Sequence, residues 1–552
     1  MKALHSIGLA LPIFALAQQS PAQSSHTLTA GDVVMEGNTI VRAAYRGTAY
    51  ADLTVPSAIG GIRVEAVASR AFWDRGIRRL TLSPGVRIVG DRAFGRNPFT
   101  AIELGEGLEE IGDSAFFHST NSTPDIEELR IPDSVTRMGP GAFCDCPLKK
   151  LTLGRGLKVI PREAFAWGQL TSVDIPEGVE SIERDAFGWN HIGRISLPSS
   201  LRHLGGFGNN AISELTIAPT VESVGDSAFF GNRLTAVLVP KNVVSVGNYA
   251  FAQNRREKEN YRGPLVQWEN TIKSLVVESG VSRVGEEAFN PSSSATLFIP
   301  ASIATIGSGA FGGSYGNVVV EEGRVVLDEG ALAFVRASGG ISLPQSLKTI
   351  GDYAMVNTFN RYEVKEEFIA LPRALERIGK GAFGETYFRN ISLSSASRLT
   401  VDDEAFKGDW YLKSVFIGKG VVSIGRDCFA KRETYRNTQV DLRQAADLIH
   451  IMPGAFAEAG RPDVALPRGR RWRAYRGSPG NWQGSGYATR IEDTSLGYIA
   501  DDAPTAIAEV KTQPGVEVEA YDLLGRRLRP GAEAGRNVRA RRSGDGRRVV
   551  VF

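Results

Sequence analysis

Apolar residues recur along this chain in a fixed phrase. One copy reads Leu215-Thr216-Ile217, Val221, Val224-Gly225, Ala228-Phe229. The same spacing returns at Leu80/Leu82/Val86/Val89-Gly90/Ala93-Phe94, at Ile102/Leu104/Leu108/Ile111-Gly112/Ala115-Phe116, and at Val237/Val239/Val243/Val246-Gly247/Ala250-Phe251. About 17 copies end at Phe72, Phe94, Phe116, Phe143, Phe165, Phe187, Phe207, Phe229, Phe251, Phe289, Phe311, Phe334, Met355, Phe383, Phe406, Phe429 and Phe456. The commonest step, as from Phe94 to Phe116, is 22 residues. A fixed period of that size is the signature of a solenoid, in which each repeat is one coil.

The order of residues predicts how one coil is built. The first two apolar positions alternate with polar ones, so both face inward from a short strand. A proline often follows (Pro132, Pro176, Pro198, Pro240, Pro300, Pro344, Pro372) and ends that strand, having no N–H to donate. Two more apolar residues turn inward on the return side, and the glycine after them suits a tight bend. The Ala-Phe pair closes the coil, with each ring expected to stack on the next. Three positions after the Phe an asparagine recurs (Asn97, Asn190, Asn210, Asn232, Asn254). Asparagine tolerates unusual backbone angles and bonds free peptide groups in turns. Stacked, these side chains would form a ladder that satisfies buried backbone. A single coil cannot bury its own apolar face, so stability must come from neighbours.

The phrase Val-x-x-Ile-Gly-x-x-Ala-Phe, with Asn-x-Leu-x-x-Leu-x-Leu beside it, resembles the BspA-type leucine-rich repeats of bacterial surface proteins. The resemblance runs over residues 50–467 and implies a mainly β, right-handed leucine-rich-repeat solenoid. Departures are Gly206-Phe207, in a copy two residues short, Met355, and Cys428 in place of Ala.

The flanks read differently. Residues 1–17 have the form of a secretory signal: Lys2, an apolar run from Ile7 to Phe14, then Ala15-Leu16-Ala17. In the extension and cap at 18–49, Val33–Met35 and Thr39–Val41 predict a short hairpin over the first coil. Periodicity fades in a cap and linker at 468–505. Strand character returns in 506–552, where Gly544-Asp545-Gly546 before Arg547–Phe552 is a hairpin signal. Tyr521-Asp522-Leu523-Leu524-Gly525-Arg526-Arg527 and the terminal Val-rich strand resemble the C-terminal sorting domain of type IX secretion substrates. That implies engagement of the type IX machinery and export across an outer membrane, to the cell surface or beyond.

Composition adds little chemistry. A net charge of +3 leaves no electrostatic footprint for nucleic acid. Cys144, Cys146 and Cys428 are too few for a disulfide framework and lack companions at metal-ligand spacing. Gly112-Asp113-Ser114 and Gly225-Asp226-Ser227 resemble a nucleophile block, but both occupy one repeat slot and neither has a His at a fixed distance. His26, His118, His191, His203 and His450 are scattered. The reading is therefore no catalytic residues, no cofactor and no metal.

Length variation points to the surface that matters. The main insertions follow the Ala-Phe pair, and in a solenoid such insertions fall on one edge, often the binding edge. Aromatic residues gather there, giving Trp73, Trp167, Trp189, Trp268, Tyr387, Trp410 and Tyr411 as a candidate rim. The expectation is a non-enzymatic surface or secreted binding protein, and the resemblance to BspA-type proteins implies adhesion to host or bacterial proteins through the solenoid face and its loops. The second reading is a carbohydrate-binding module with the same rings as its platform.

Overall fold

The computed structural model describes residues 25–45, 47–118, 125–257, 268–358, 371–386, 388–408, 412–430, 438–457, 464–483 and 486–501, with strands at 517–520, 540–542 and 548–551. Residues 1–17, the expected signal, lie outside this set. The described residues contain strands and turns and no helix; the fold is a leucine-rich-repeat β-solenoid of about 17 turns. The chain divides into two units, Met1–Leu157 with Trp167–Gln169, and Lys158–Ala166 with Leu170–Phe552.

In the first unit the alternating strands Asp52–Val55, Arg79–Leu82 and Ala101–Glu103 lie parallel, with Leu53 beside Leu80 and Leu80 beside Ile102. The return strands Ala66–Val67, Ile88–Val89, Glu110–Ile111 and Arg137–Met138 form a second parallel ladder. Its N-terminal end carries the predicted hairpin: Val33–Glu36 pairs antiparallel with Thr39–Ala43, which runs parallel to Ala66–Val67. One stack of rings, Phe72, Phe94, Phe116 and Phe143, fills the interior at centroid spacings of 5.2, 5.6 and 4.8 Å.

The second unit repeats this construction. Return strands from Val159–Ile160 to Thr305–Ile306 form a seven-stranded parallel ladder, and a second ladder runs from Val326–Leu327 to His450–Ile451. Two antiparallel strands, Gly497–Ala500 and Trp472–Tyr475, close the latter. At that junction burial holds the His450 imidazole down at about 4, and its Nε2 lies 2.7 Å from the Tyr475 hydroxyl. In the tail, Arg548–Val551 pairs antiparallel with Ala540–Arg542, as the Asp-Gly signal predicts, and parallel with Glu517–Ala520.

Phenylalanines from Phe165 to Phe311 stack continuously in the second unit, Phe207 of the short copy included. One expected member is misplaced. Phe334 is 54% exposed, and the interior slot belongs to Leu332, whose N–H donates to Ala354 O at 2.7 Å. The sequence Ala331-Leu332-Ala333-Phe334 offers two Ala-x pairs, and the aromatic one lies two residues too late to turn inward. Leu332 and Met355, both buried, replace rings here; the stack resumes with Phe383, Phe406, Phe429 and Phe456.

The asparagine ladder forms as expected. Asn232 Oδ1 accepts from Ile212 N at 3.0 Å, and its Nδ2 donates to Phe207 O at 2.8 Å. Asn254 repeats this toward Leu234 N and Phe229 O, and adds Phe251 O at 2.7 Å. Each amide thus binds peptide groups of its own coil and of the one before. Where asparagine is missing, Cys146 donates to Phe116 O and Thr386 to Phe383 O.

Two expectations about the backbone require correction. The unusual angles do not fall on these asparagines. Positive φ occurs two residues before the Phe slot and two after it, as at Ser227 (53°), Asn209 (55°) and Trp189 (54°). The recurrent glycine does exclude a Cβ, as expected, but the cause is close approach of the preceding coil and not the bend. A Cβ on Gly247 would sit 2.5 Å from Asp226 N of the preceding coil, closer than any real contact. The glycine column marks where successive backbones nearly touch. Gly225 follows the short copy, and a Cβ there would meet Gly205 Cα at 3.7 Å, an ordinary contact. Gly247→Ala should therefore cost about 1–3 kcal/mol as overpacking, while Gly225→Ala should be neutral or slightly stabilising. Paired urea denaturation curves would check the contrast.

Candidate binding surface

The structure sorts the predicted rim. Trp73 is half-buried, with its ring lying over Gly95, where an added Cβ would be 2.4 Å from Cζ3; this ring packs on the neighbouring coil. Trp167 in the first unit is 52% exposed, and Trp189 in the second is 36% exposed. Both occupy the left-handed position two residues after the Phe slot (φ 62° and 54°). Phe334 takes the same position in its coil (φ 61°). An L-residue with a large side chain pays in backbone strain to stand there. The backbone of Trp268 lies in a strand, but its side chain is outside the described set, as are Tyr387, Trp410 and Tyr411.

A surface that sequence reading missed lies on the outward face of the first strands in the second unit. Leu238 (52% exposed) sits beside Val276 (48%) in parallel register. The strand Ser274–Val277 packs against Ser292–Ile299, which carries Phe298 (43%), itself in register with Val319. Their outward companions are Ala236, Ser274, Thr296 and Asn317, so no outward position of these four strands is charged. Earlier in the same unit the outward positions include Asp174 and Arg194. The signal was in the sequence: a strand face that reads polar in most copies changes to Leu, Val, Phe, Val.

The insertion after Phe251 forms a hairpin, Arg255–Glu257 against Trp268–Asn270. Its strands are tied by an Arg256 Nε–Glu269 Oε1 bond of 2.6 Å. Beside it lies a cleft of about 550 Å³ lined by Ser213, Arg233, Thr235, Arg256, Glu257, Glu269, Asn270, Thr271 and Lys273.

The serines of the two Gly-Asp-Ser blocks are structural. Ser114 and Ser227 hold left-handed positions, and the aspartate before Ser227 bonds the next coil, Asp226 Oδ1 accepting from Asn248 N at 2.8 Å. Cys146 and Cys428 are buried, and burial pushes both thiols well up. His118, which desolvation holds low, is buried near Asp145. Among the described residues no three His, Cys, Asp or Glu side chains gather as metal ligands would.

The family comparison agrees with the repeat architecture. A model of the BspA type leucine rich repeat region matches in six copies, over residues 38–166, 117–208, 136–258, 267–366 and 327–459. No curated protein matches the chain. Among solved structures, a leucine-rich repeat protein from Bacteroides ovatus is 15% identical, with 80% of this chain and 92% of that one covered at a TM-score of 0.37. The pneumococcal vaccine antigen PcpA is 18% identical (78% and 95% covered, TM-score 0.32). A leucine rich cell surface protein from Faecalibacterium prausnitzii is 15% identical (78% and 91%, TM-score 0.30).

Proposed function

Because this chain belongs to the BspA-type leucine-rich-repeat family, we propose that it is a non-enzymatic binding protein, exported to the cell surface or beyond, that adheres to a protein on a host or bacterial surface. The observation that carries this reading is the uncharged apolar stripe Leu238–Val276–Phe298. Contiguous exposed apolar surface costs solubility, and in soluble proteins it marks a place where another protein sits. Packed parallel strands from two adjacent sheets present it without rearrangement, because they are fixed by the buried stack behind them. The exposed Trp189 and Phe334 add rings of the type enriched at interface centres. Export rests on the apolar segment at 7–14 and on the resemblance of the tail to type IX sorting domains.

The test is surface plasmon resonance of the mature chain against purified host matrix proteins and outer-surface extracts of neighbouring bacteria. Saturable binding should fall at least about tenfold in Val276→Lys/Phe298→Lys, since a lysine buried at an apolar contact has no partner. Thermal stability should stay near that of the parent, because both positions are exposed. Binding that survives the double change would remove the stripe from the interface. Export is tested separately: deletion of 521–552 should leave the protein inside the cell envelope, and unchanged surface delivery would count against a sorting role.

A further inference from the structure

A pattern of charge runs along the return side of the second unit. It occupies one repeat slot, the residue immediately before each return strand. In four successive coils that slot holds Val244, Ser282, Ala304 and Val325, none of them charged. Arg202 and Glu222 come before this block, and Lys348 and Glu376 follow it. All are exposed except Ser282, which is half-buried; Val244 is 52% exposed and Val325 46%, with Val326 beside it at 45%. Strand pairing keeps the slots in line, from His203 beside Ser223 to Arg283 beside Thr305, and again from Val326 beside Thr349 to Arg377. The two ladders meet inside the block. There Asp328 Oδ2 accepts from Ile306 N at 2.9 Å, and Arg324 bonds both Asp328 and Ile303 O.

The order along the solenoid is plus, minus, four uncharged, plus, minus. Turned end for end, it becomes minus, plus, four uncharged, minus, plus, so each charge meets its opposite. A two-fold axis between the Ser282 and Ala304 coils sets Glu222 against Lys348 of a second copy and Arg202 against Glu376. The same axis sets Val244 against Val325. The spacings agree, because each charged pair is locked one coil apart. Arg202 Nη1 lies 2.5 Å from Glu222 Oε1, and Lys348 Nζ lies 3.1 Å from Glu376 Oε1. Meeting would make two squares of alternating charge, one at each end of an apolar centre. Lys241 and Glu322, both exposed and each three residues before its valine, obey the same relation. Arg283, the one charged outward residue within the block, falls on Thr305, whose hydroxyl can accept from it. His203 falls on Arg377, which Asp352 and Asp402 already neutralise.

We propose that this face binds a second copy of the chain, in an isologous dimer with the two solenoids antiparallel. Exposed ion pairs within one chain contribute little to its stability, so they give no reason for two separate pairs to match about an uncharged centre. An isologous contact does give one, because a single patch must there complement itself. A foreign partner would need only a complement of its own. The Leu238–Val276–Phe298 stripe lies on the first strands and takes no part in this contact. Eight coils at the ~4.8 Å strand spacing make a strip roughly 35 Å long. One short strand wide, it stands at the small end of specific interfaces, so the dimer should be weak, with a Kd on the order of 10 µM.

Analytical ultracentrifugation of the purified chain from about 1 to 100 µM, at low and high salt, tests this. The parent should pass from monomer to dimer over that range, and high salt should weaken the dimer roughly tenfold. Glu222→Lys sets like charges together twice in the dimer, as does Lys348→Glu, and each alone should weaken it about tenfold or more. An equimolar mixture of the two variants should dimerise as the parent does, because the heterodimer restores both opposed pairs. One in-chain pair stays broken in each variant, so recovery can come only from contact between chains. Melting temperatures should stay near the parent's, because all four side chains are about half exposed. A chain that is monomeric throughout would overturn the proposal, as would a dimer indifferent to both single changes or a mixture that fails to recover. So would a dimer lost in Val276→Lys/Phe298→Lys but kept in Glu222→Lys, which would move the second copy to the apolar stripe.

Discussion

Phe229→Ala should cost about 3–5 kcal/mol in equilibrium unfolding of the second unit, the usual toll of a large cavity in a packed core. Phe229 is fully buried, with Phe207 at 5.7 Å on one side and Phe251 at 5.6 Å, nearly parallel, on the other. Its removal takes contacts from three coils at once. Stacked repeats depend on their neighbours for stability, so the loss should be felt as a break in cooperativity and not only as a lower midpoint. Whole domains are stable by only about 5–15 kcal/mol, which makes this a large fraction. Phe298→Ala, at an exposed position on the same unit, should shift stability by about 0.5 kcal/mol or less. Urea titration followed by circular dichroism would compare the two, and equal costs would show that burial of the ring is not what matters.

The second large effect is expected at the asparagine ladder. Asn254→Ala strands Leu234 N, Phe229 O and Phe251 O in the interior. An unsatisfied buried group costs about 1–3 kcal/mol, so three of them should sum to roughly 3 kcal/mol or more. Asn254→Thr should recover part of this, because Thr386 in the equivalent slot bonds its own Phe carbonyl at 2.8 Å. The rank order of midpoints, Asn above Thr above Ala, is the outcome to look for. Apolar replacement without loss would mean that the amide is not needed to satisfy the turn.

Much of the coil was legible because its constraints are local and repeated. Alternation gave the first strand, proline its end, and the Ala-Phe pair the closing turn. Asn232 and Asn254 could be placed because a polar residue at a fixed slot inside an apolar coil must find backbone to bond. Three features were not legible, each for a reason. Phe334 reads as a core ring, but its inward or outward direction depends on a two-residue offset that only the pairing of Leu332 with Ala354 fixes. The glycine column looks like a set of bends, since close approach of backbones from different coils leaves no local mark. The cleft at Thr271 is built from residues of three coils and a hairpin, and nothing in their spacing brings Ser213, Arg233 and Lys273 together. The outward stripe could have been found by reading the polar half of the alternation with the same care as the apolar half.

The stacked rings hold adjacent coils together from within and leave the outside for recognition. A double-mutant cycle of Phe229→Leu and Phe251→Leu measures that directly. Stacked neighbours should show a coupling of about 0.5–1.5 kcal/mol, whereas Phe229 with Phe311, separated by intervening rings, should show none beyond error. Equal coupling in the two pairs, or none in either, would contradict it.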